Sequence, residues 1–163
     1  MVRIQSVLCA SAALLLGVSC GGSSSSSPSN NFSAAMNNAN EKPAPPVAST
    51  ATGTATFSVS GTTVTYTVNF TGLTGNPTVS HIHVGDPTAS PGAVVVPFKV
   101  TLPAATSGTF TGTFTEADIV TTASPLITNL NDLLTQMRAG NTYANVHTAA
   151  NPGGEIRGQI QPQ

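Results

Sequence analysis

Between residues 63 and 70 the chain alternates. Val64, Tyr66, Val68 and Phe70 fall on one side and Thr65, Thr67 and Asn69 on the other, which is the two-residue period of a half-buried strand. The run 52–60 alternates in the same way, and Gly61-Thr62 between the two fits a tight hairpin turn. Ahead of them, Phe32 and Met36 begin a strand that the Pro-rich stretch 41–46 interrupts. Gly72 and Gly75-Asn76-Pro77 mark the next loop. Further strands are predicted at 79–84, 93–100 and 108–115, and a last pair at 143–148 and 155–160 around the turn 151–154. One stretch breaks the period. Over 126–139, Leu126, Leu130, Leu133, Leu134 and Met137 recur at steps of three and four, and Gly140 is a suitable stop, so a helix is expected there. Many short strands with Gly/Pro turns predict an all-β sandwich or barrel carrying one helix in a long connection.

The N-terminus follows different rules. Arg3 precedes an apolar stretch over 7–18 that is short for a membrane span, and Gly17-Val18-Ser19 leads into Cys20. Residues 1–19 are therefore expected to be an export signal of the bacterial lipoprotein type, with Cys20 the acylated residue. Three positions before the Cys, where an aliphatic residue is usual, stands Gly17, with Leu16 one step earlier. The Gly/Ser run that follows has random-coil character, so 20–31 is read as a flexible tether and 32–163 as the folded domain. The expected location is the cell envelope, with the bilayer held through acylated Cys20. Gly21, which is not Asp, resembles an outer-membrane sorting signal if the cell is Gram-negative.

Composition narrows the partners. Charged residues make up 7% of the 163 positions and the net charge is −1, so no basic patch exists for nucleic acid. Both cysteines, Cys9 and Cys20, lie in the first twenty residues, so no disulfide staples the domain. It must be held by its own core.

The chain has three histidines, His81, His83 and His147. On a strand His81 and His83 point together, with Ile82 and Val84 to the core. The same logic places Tyr143, Asn145 and His147 outward with Ala144 and Val146 inward, and Glu155, Arg157 and Gln159 outward with Ile156 and Ile160 inward. If those strands are neighbours, all three imidazoles share one outer face. Three such nitrogens suit zinc, copper, nickel or iron, with Glu155, Asn145 or Asp86 as partners that orient the rings. The alternative is that the histidines hydrogen-bond loop backbone and carboxylates. Arg157 is read as one half of an exposed ion pair with Glu155, as a holder of a turn carbonyl, or as a group that attracts an anion or substrate. Asp86, after Gly85, reads as a turn residue.

Several segments resemble the chordin-type (CHRD) domain: Gly72-Leu73-Thr74-Gly75, His81-Ile82-His83-Val84-Gly85, Tyr143-Ala144-Asn145-Val146-His147-Thr148, and the ending from Pro152 to Ile160. The match runs from about residue 32 to 161. The CHRD family in turn is similar, to a limited extent, to copper,zinc superoxide dismutases. That resemblance implies a Greek-key or immunoglobulin-like arrangement, with His81, His83 and His147 at copper-ligand positions and Arg157 loosely at that of an anion-guiding Arg. The bridging histidine, the remaining zinc ligands and the disulfide cysteines have no counterpart here. Copper is thus the first expected cofactor and zinc the alternative. Three functions follow: a metal-binding surface domain for storage, buffering or delivery; a non-catalytic module for an extracellular protein or glycan; and a dismutase-like redox enzyme.

Overall fold

The computed structural model describes residues 27–85 and 92–163. The export signal, Cys20, most of the tether and Asp86 lie outside the described residues. In chain order the strands are β1 (Asn31–Asn37), β2 (Thr52–Ser60), β3 (Thr63–Thr71), β4 (Pro77–Val84), β5 (Val94–Pro97), β6 (Gly108–Thr115), β7 (Thr122–Ala123) and β8 (Leu126–Ile127). Helix α1 (Leu130–Arg138) follows, and then β9 (Thr142–Thr148), β10 (Ile156–Gln159) and β11 (Gln161–Pro162). A first strand beginning at Asn31 takes one residue from the expected tether, and Ser29 is already tied in, its Oγ donating to the carbonyls of Asn31 and Gln163.

One antiparallel sheet follows the order β5–β4–β9–β10–β1–β2–β3–β6, with β11 added to β1. It curls into a nearly closed barrel whose connections β3–β4 and β5–β6 cross between its two halves. Phe98, just after β5, helps to close the remaining gap. Its ring stacks on Tyr66 of β3 at 4.1 Å and sits 6.3 Å from Phe110 of β6. The alternation read from the sequence sets the inside: Val64, Tyr66, Val68 and Phe70 are all buried, as are Ile82, Val84, Ala144, Val146, Ile156 and Ile160.

Outside β2, β3 and β6 the same alternation leaves hydroxyls. Rows such as Thr56–Thr67–Thr111 and Ser58–Thr65–Thr113 stand in register, and no strand position on this face is charged.

The helix is shorter than its apolar spacing predicts. It starts at Leu130 because Asn129 caps it, accepting from the Asp132 N–H at 2.9 Å, while the Asp132 carboxylate accepts from the Thr128 N–H and hydroxyl. Capping outweighs periodicity here. Leu126 and Ile127 instead pair with Thr122 and Ala123, and Leu126 is 66% exposed. The strand expected over 93–100 is likewise limited to β5, and that over 155–160 to β10.

Candidate metal centre

Adjacency of β4 and β9 brings the histidines together. His81 lies opposite Asn145 and His83 opposite Tyr143, while His147 lies opposite Val79. The ring centroids of His81 and His83 are 5.4 Å apart, those of His81 and His147 5.0 Å, and those of His83 and His147 6.4 Å. One ring nitrogen from each lies within 4.8 Å of the other two.

Two backbone carbonyls decide how the rings present themselves. His83 Nδ1 lies 2.9 Å from the carbonyl of Gly92, and His147 Nδ1 lies 2.9 Å from that of Pro152. A carbonyl can only accept, so each Nδ1 carries the proton and each Nε2 keeps its lone pair. Those Nε2 atoms, together with His81 Nδ1, are buried with no hydrogen-bond partner. Buried polar atoms are nearly always satisfied, and three ring nitrogens grouped without a partner, two of them fixed as acceptors, suit a cation. Burial is the largest influence on all three rings and holds each below its ordinary pKa; His81, with His147 and His83 adding to the effect, is pushed down to about 4. The imidazoles are therefore neutral at pH 7. Metal–nitrogen bonds are about 2.0–2.1 Å, so modest ring rotation brings the three within reach of one ion. His81 is the most exposed of the three and marks the side from which an ion would enter.

Gly92 clamps two groups at once. Its carbonyl holds His83, and its N–H donates to Tyr143 Oη at 3.1 Å. A Cβ at this position would collide with the carbonyl of Val84, so only glycine fits. The Tyr143 ring stacks on His83 at 4.7 Å and 4°, and carries the Arg157 guanidinium 3.4 Å from its centroid.

The face expected to be open is in fact covered. Asn145, Glu155, Arg157 and Tyr143 are at most 2% exposed, because the segment 38–42 folds over β10. Asn38 Nδ2 donates to the Glu155 carbonyl and Asn40 Nδ2 to that of Arg157. The exposed ion pair between Glu155 and Arg157 does not form. Glu155 instead accepts from the Thr74 N–H at 2.8 Å and from the hydroxyls of Thr74 and Thr148, both at 2.6 Å. Burial pushes this carboxyl up, but those hydrogen bonds outweigh it and leave the pKa below its ordinary value. Glu155 thus pins the 72–75 loop to the 148–155 turn, and the rings of His83 and His147 are oriented by carbonyls. Asn145 lies against His83, on which it acts electrostatically.

One residue escaped sequence reasoning. Glu41, in the stretch read only as a strand break, is 3% exposed and lies beside Arg157 and Asn145, with Oε1 unpartnered. Burial raises its pKa to about 7, against the opposing pull of Arg157, Asn145 and the Lys42 N–H. Gly154, at φ +127°, makes room for it, since a Cβ there would strike the carboxylate. A lone acid among prolines carries no periodic signal, and nothing in the sequence separates it from a solvated loop residue.

Comparison with protein families matches the CHRD domain over residues 32–160. No curated protein and no solved structure matches the chain. The match spans nearly the whole barrel, including all three histidines, Glu41 and Arg157, and the chain belongs to the CHRD domain family.

Proposed function

We propose that this CHRD domain binds a transition-metal ion through His81, His83 and His147, at the cell envelope, for storage, buffering or delivery. The single observation that carries this reading is the convergence of three buried, partner-free ring nitrogens, two of them oriented by carbonyls. Imidazole donors suit copper and zinc, and copper heads the divalent affinity order, so copper is the first candidate and zinc the alternative. Bound there, the ion supplies a Lewis-acidic centre, and copper also a redox couple. The residues' own part is to present unprotonated nitrogens from a stiff sheet. Anchoring falls to Cys20, acylated and inserted in the bilayer, with the Gly/Ser run as the leash.

Copper(II) titration of the purified chain, followed by electron paramagnetic resonance, tests the site. One equivalent with nitrogen hyperfine structure is expected. His81→Ala, His83→Ala and His147→Ala should each weaken binding at least tenfold, and unchanged affinity in all three would reject the reading. For the anchor, a labelled fatty acid should enter the wild-type chain and be absent from Cys20→Ser; equal labelling removes the lipoprotein assignment.

A second reading has its own support. The charge-free face of hydroxyls on β2, β3 and β6 fits a non-catalytic module for an extracellular protein or glycan. A partner captured equally by metal-stripped and metal-loaded protein would favour it. A dismutase-like redox activity is the third reading, and superoxide turnover no faster than that of free copper would eliminate it.

A further inference from the structure

His83 stands where its strand leaves regular pairing. Ile82 lies opposite Val96, but His83 lies opposite Val94, so the β4–β5 register slips by one residue between them. A bulge of this kind re-aims a side chain. Ala93 makes the last ladder contact, its carbonyl taking the Val84 N–H at 3.0 Å. Gly92 lies beyond the ladder, and its carbonyl is the acceptor for His83 Nδ1. A carbonyl in such a place orients a ring only if it is itself held, and Gly92 has no side chain with which to hold it.

Tyr143 supplies that support. It faces His83 across the β4–β9 pair, and its hydroxyl accepts the Gly92 N–H at 3.1 Å. Its ring lies flat on the His83 ring, 4.7 Å away and tilted by 4°. The contacts close on themselves: His83 Nδ1–H to the Gly92 carbonyl, Gly92 N–H to Tyr143 Oη, and the Tyr143 ring back onto His83. Two glycines make room for this arrangement. A Cβ at Gly92 would collide with the Val84 carbonyl, and one at Gly85 would press on Tyr143 Cε1 at 3.2 Å. His147 takes its own carbonyl from Pro152.

We propose that Tyr143 is the positioning residue of His83: acting through Gly92, its hydroxyl holds the ring as the Nδ1–H tautomer, and its face fixes the ring plane. Nε2 of His83 then faces His81 and His147 with its lone pair free. The purpose of this device rests on the metal reading above, but the tautomer itself needs no ion. In water a neutral histidine side chain favours the proton on Nε2, which would turn an N–H into the trio and block a cation. The hydrogen bond made by the other nitrogen decides between the two forms. Packing alone does not account for the arrangement, because a phenyl ring would fill the same stack without reaching Gly92.

Tyr143→Phe separates the two roles, since it keeps the stack and deletes the hydroxyl. Tautomers should be read from two-bond proton–nitrogen correlations of the metal-stripped, nitrogen-15-labelled full chain in detergent at pH 7.5. In the wild type, His83 and His147 should both be Nδ1–H. In Tyr143→Phe, His83 should become a mixture containing the Nε2–H form, while His147 remains Nδ1–H as an internal control. Losing a group that orients a ligand costs about 10–100-fold in metal affinity, so copper(II) binding, measured by competition with a chelator, should weaken about tenfold in Tyr143→Phe and further in Tyr143→Leu. Independently of any variant, the Gly92 amide of the wild type should be protected from hydrogen exchange. A wild-type His83 in the Nε2–H form, an unprotected Gly92 amide, a His83 tautomer unmoved in Tyr143→Phe, an equal shift at His147, or unchanged copper affinity would each overturn the role of Tyr143. A wild type that shows the expected tautomers and binds neither copper nor zinc would instead remove the metal reading.

Discussion

Glu155 illustrates how a residue's role depends on its neighbours. With its side chain fully buried and three hydrogen bonds from Thr74 and Thr148, it ties the 72–75 loop to the 148–155 turn. Hydrogen bonds to a charged group contribute about 1.5–3 kcal/mol each where they are buried. Glu155→Gln should therefore lower the unfolding free energy by about 2–3 kcal/mol in urea titrations; a loss below about 0.5 kcal/mol would mean that the carboxylate is not the tie. His83 and His147 follow the same logic with opposite effect. Each spends one nitrogen on a carbonyl and leaves the other without a partner. This arrangement is costly in an empty site and favourable in a filled one.

Among the elements, α1 separates apolar spacing from burial. Leu133 and Met137 are fully buried, whereas Leu126, on the same helical spacing, sits in the short β7–β8 hairpin with most of its surface in water. Leu133→Ala should cost about 2–5 kcal/mol through the cavity it leaves, and Leu126→Ala should stay within about 0.5 kcal/mol. Equal losses at the two positions, measured by chemical unfolding, would contradict the helix start at Leu130. Strands β4, β9 and β10 supply the rigidity of the site. Each functional side chain stands on a strand hydrogen-bonded to its neighbour, so the rows His81–Asn145–Arg157 and His83–Tyr143–Gln159 are positioned by sheet register.

For the whole molecule, the buried site shapes stability against pH. The histidine pKa values are lowered on folding, His81 from 6.5 to about 4. The unfolded chain then binds more protons, and the stability these rings contribute is present above about 6.5 and lost as pH falls towards 4. Glu41 acts the other way. Raised from 4.5 to about 7, it contributes stability that is full below about 4.5 and lost as pH rises through 7. In metal-free protein, Glu41→Gln should therefore gain on the wild type in melting temperature as pH rises from 4.5 to 7.5. A constant difference across that range would show that the carboxyl is not buried as described. On the proposed metal reading, added copper or zinc should raise the wild-type melting temperature most at the alkaline end, where the rings are fully unprotonated.

Local chemistry was enough to read the all-β class, the β2–β3 hairpin at Gly61-Thr62, the core-facing residues of β3, β4, β9 and β10 and the pairing of His81 with His83 on one face. These rest on a two-residue period and on turn residues, which act over a few positions at a time. The CHRD motifs were legible for the same reason, as contiguous runs. What tertiary structure alone decided was adjacency and cover. That β4 lies beside β9, bringing His147 to the other two rings, depends on strands more than fifty residues apart in the chain. That segment 38–42 lies over β10, burying Arg157 and carrying Glu41 into the site, depends on contacts across more than a hundred. Period tells which way a side chain points from its own strand. It holds no information about what another part of the chain later lays on top.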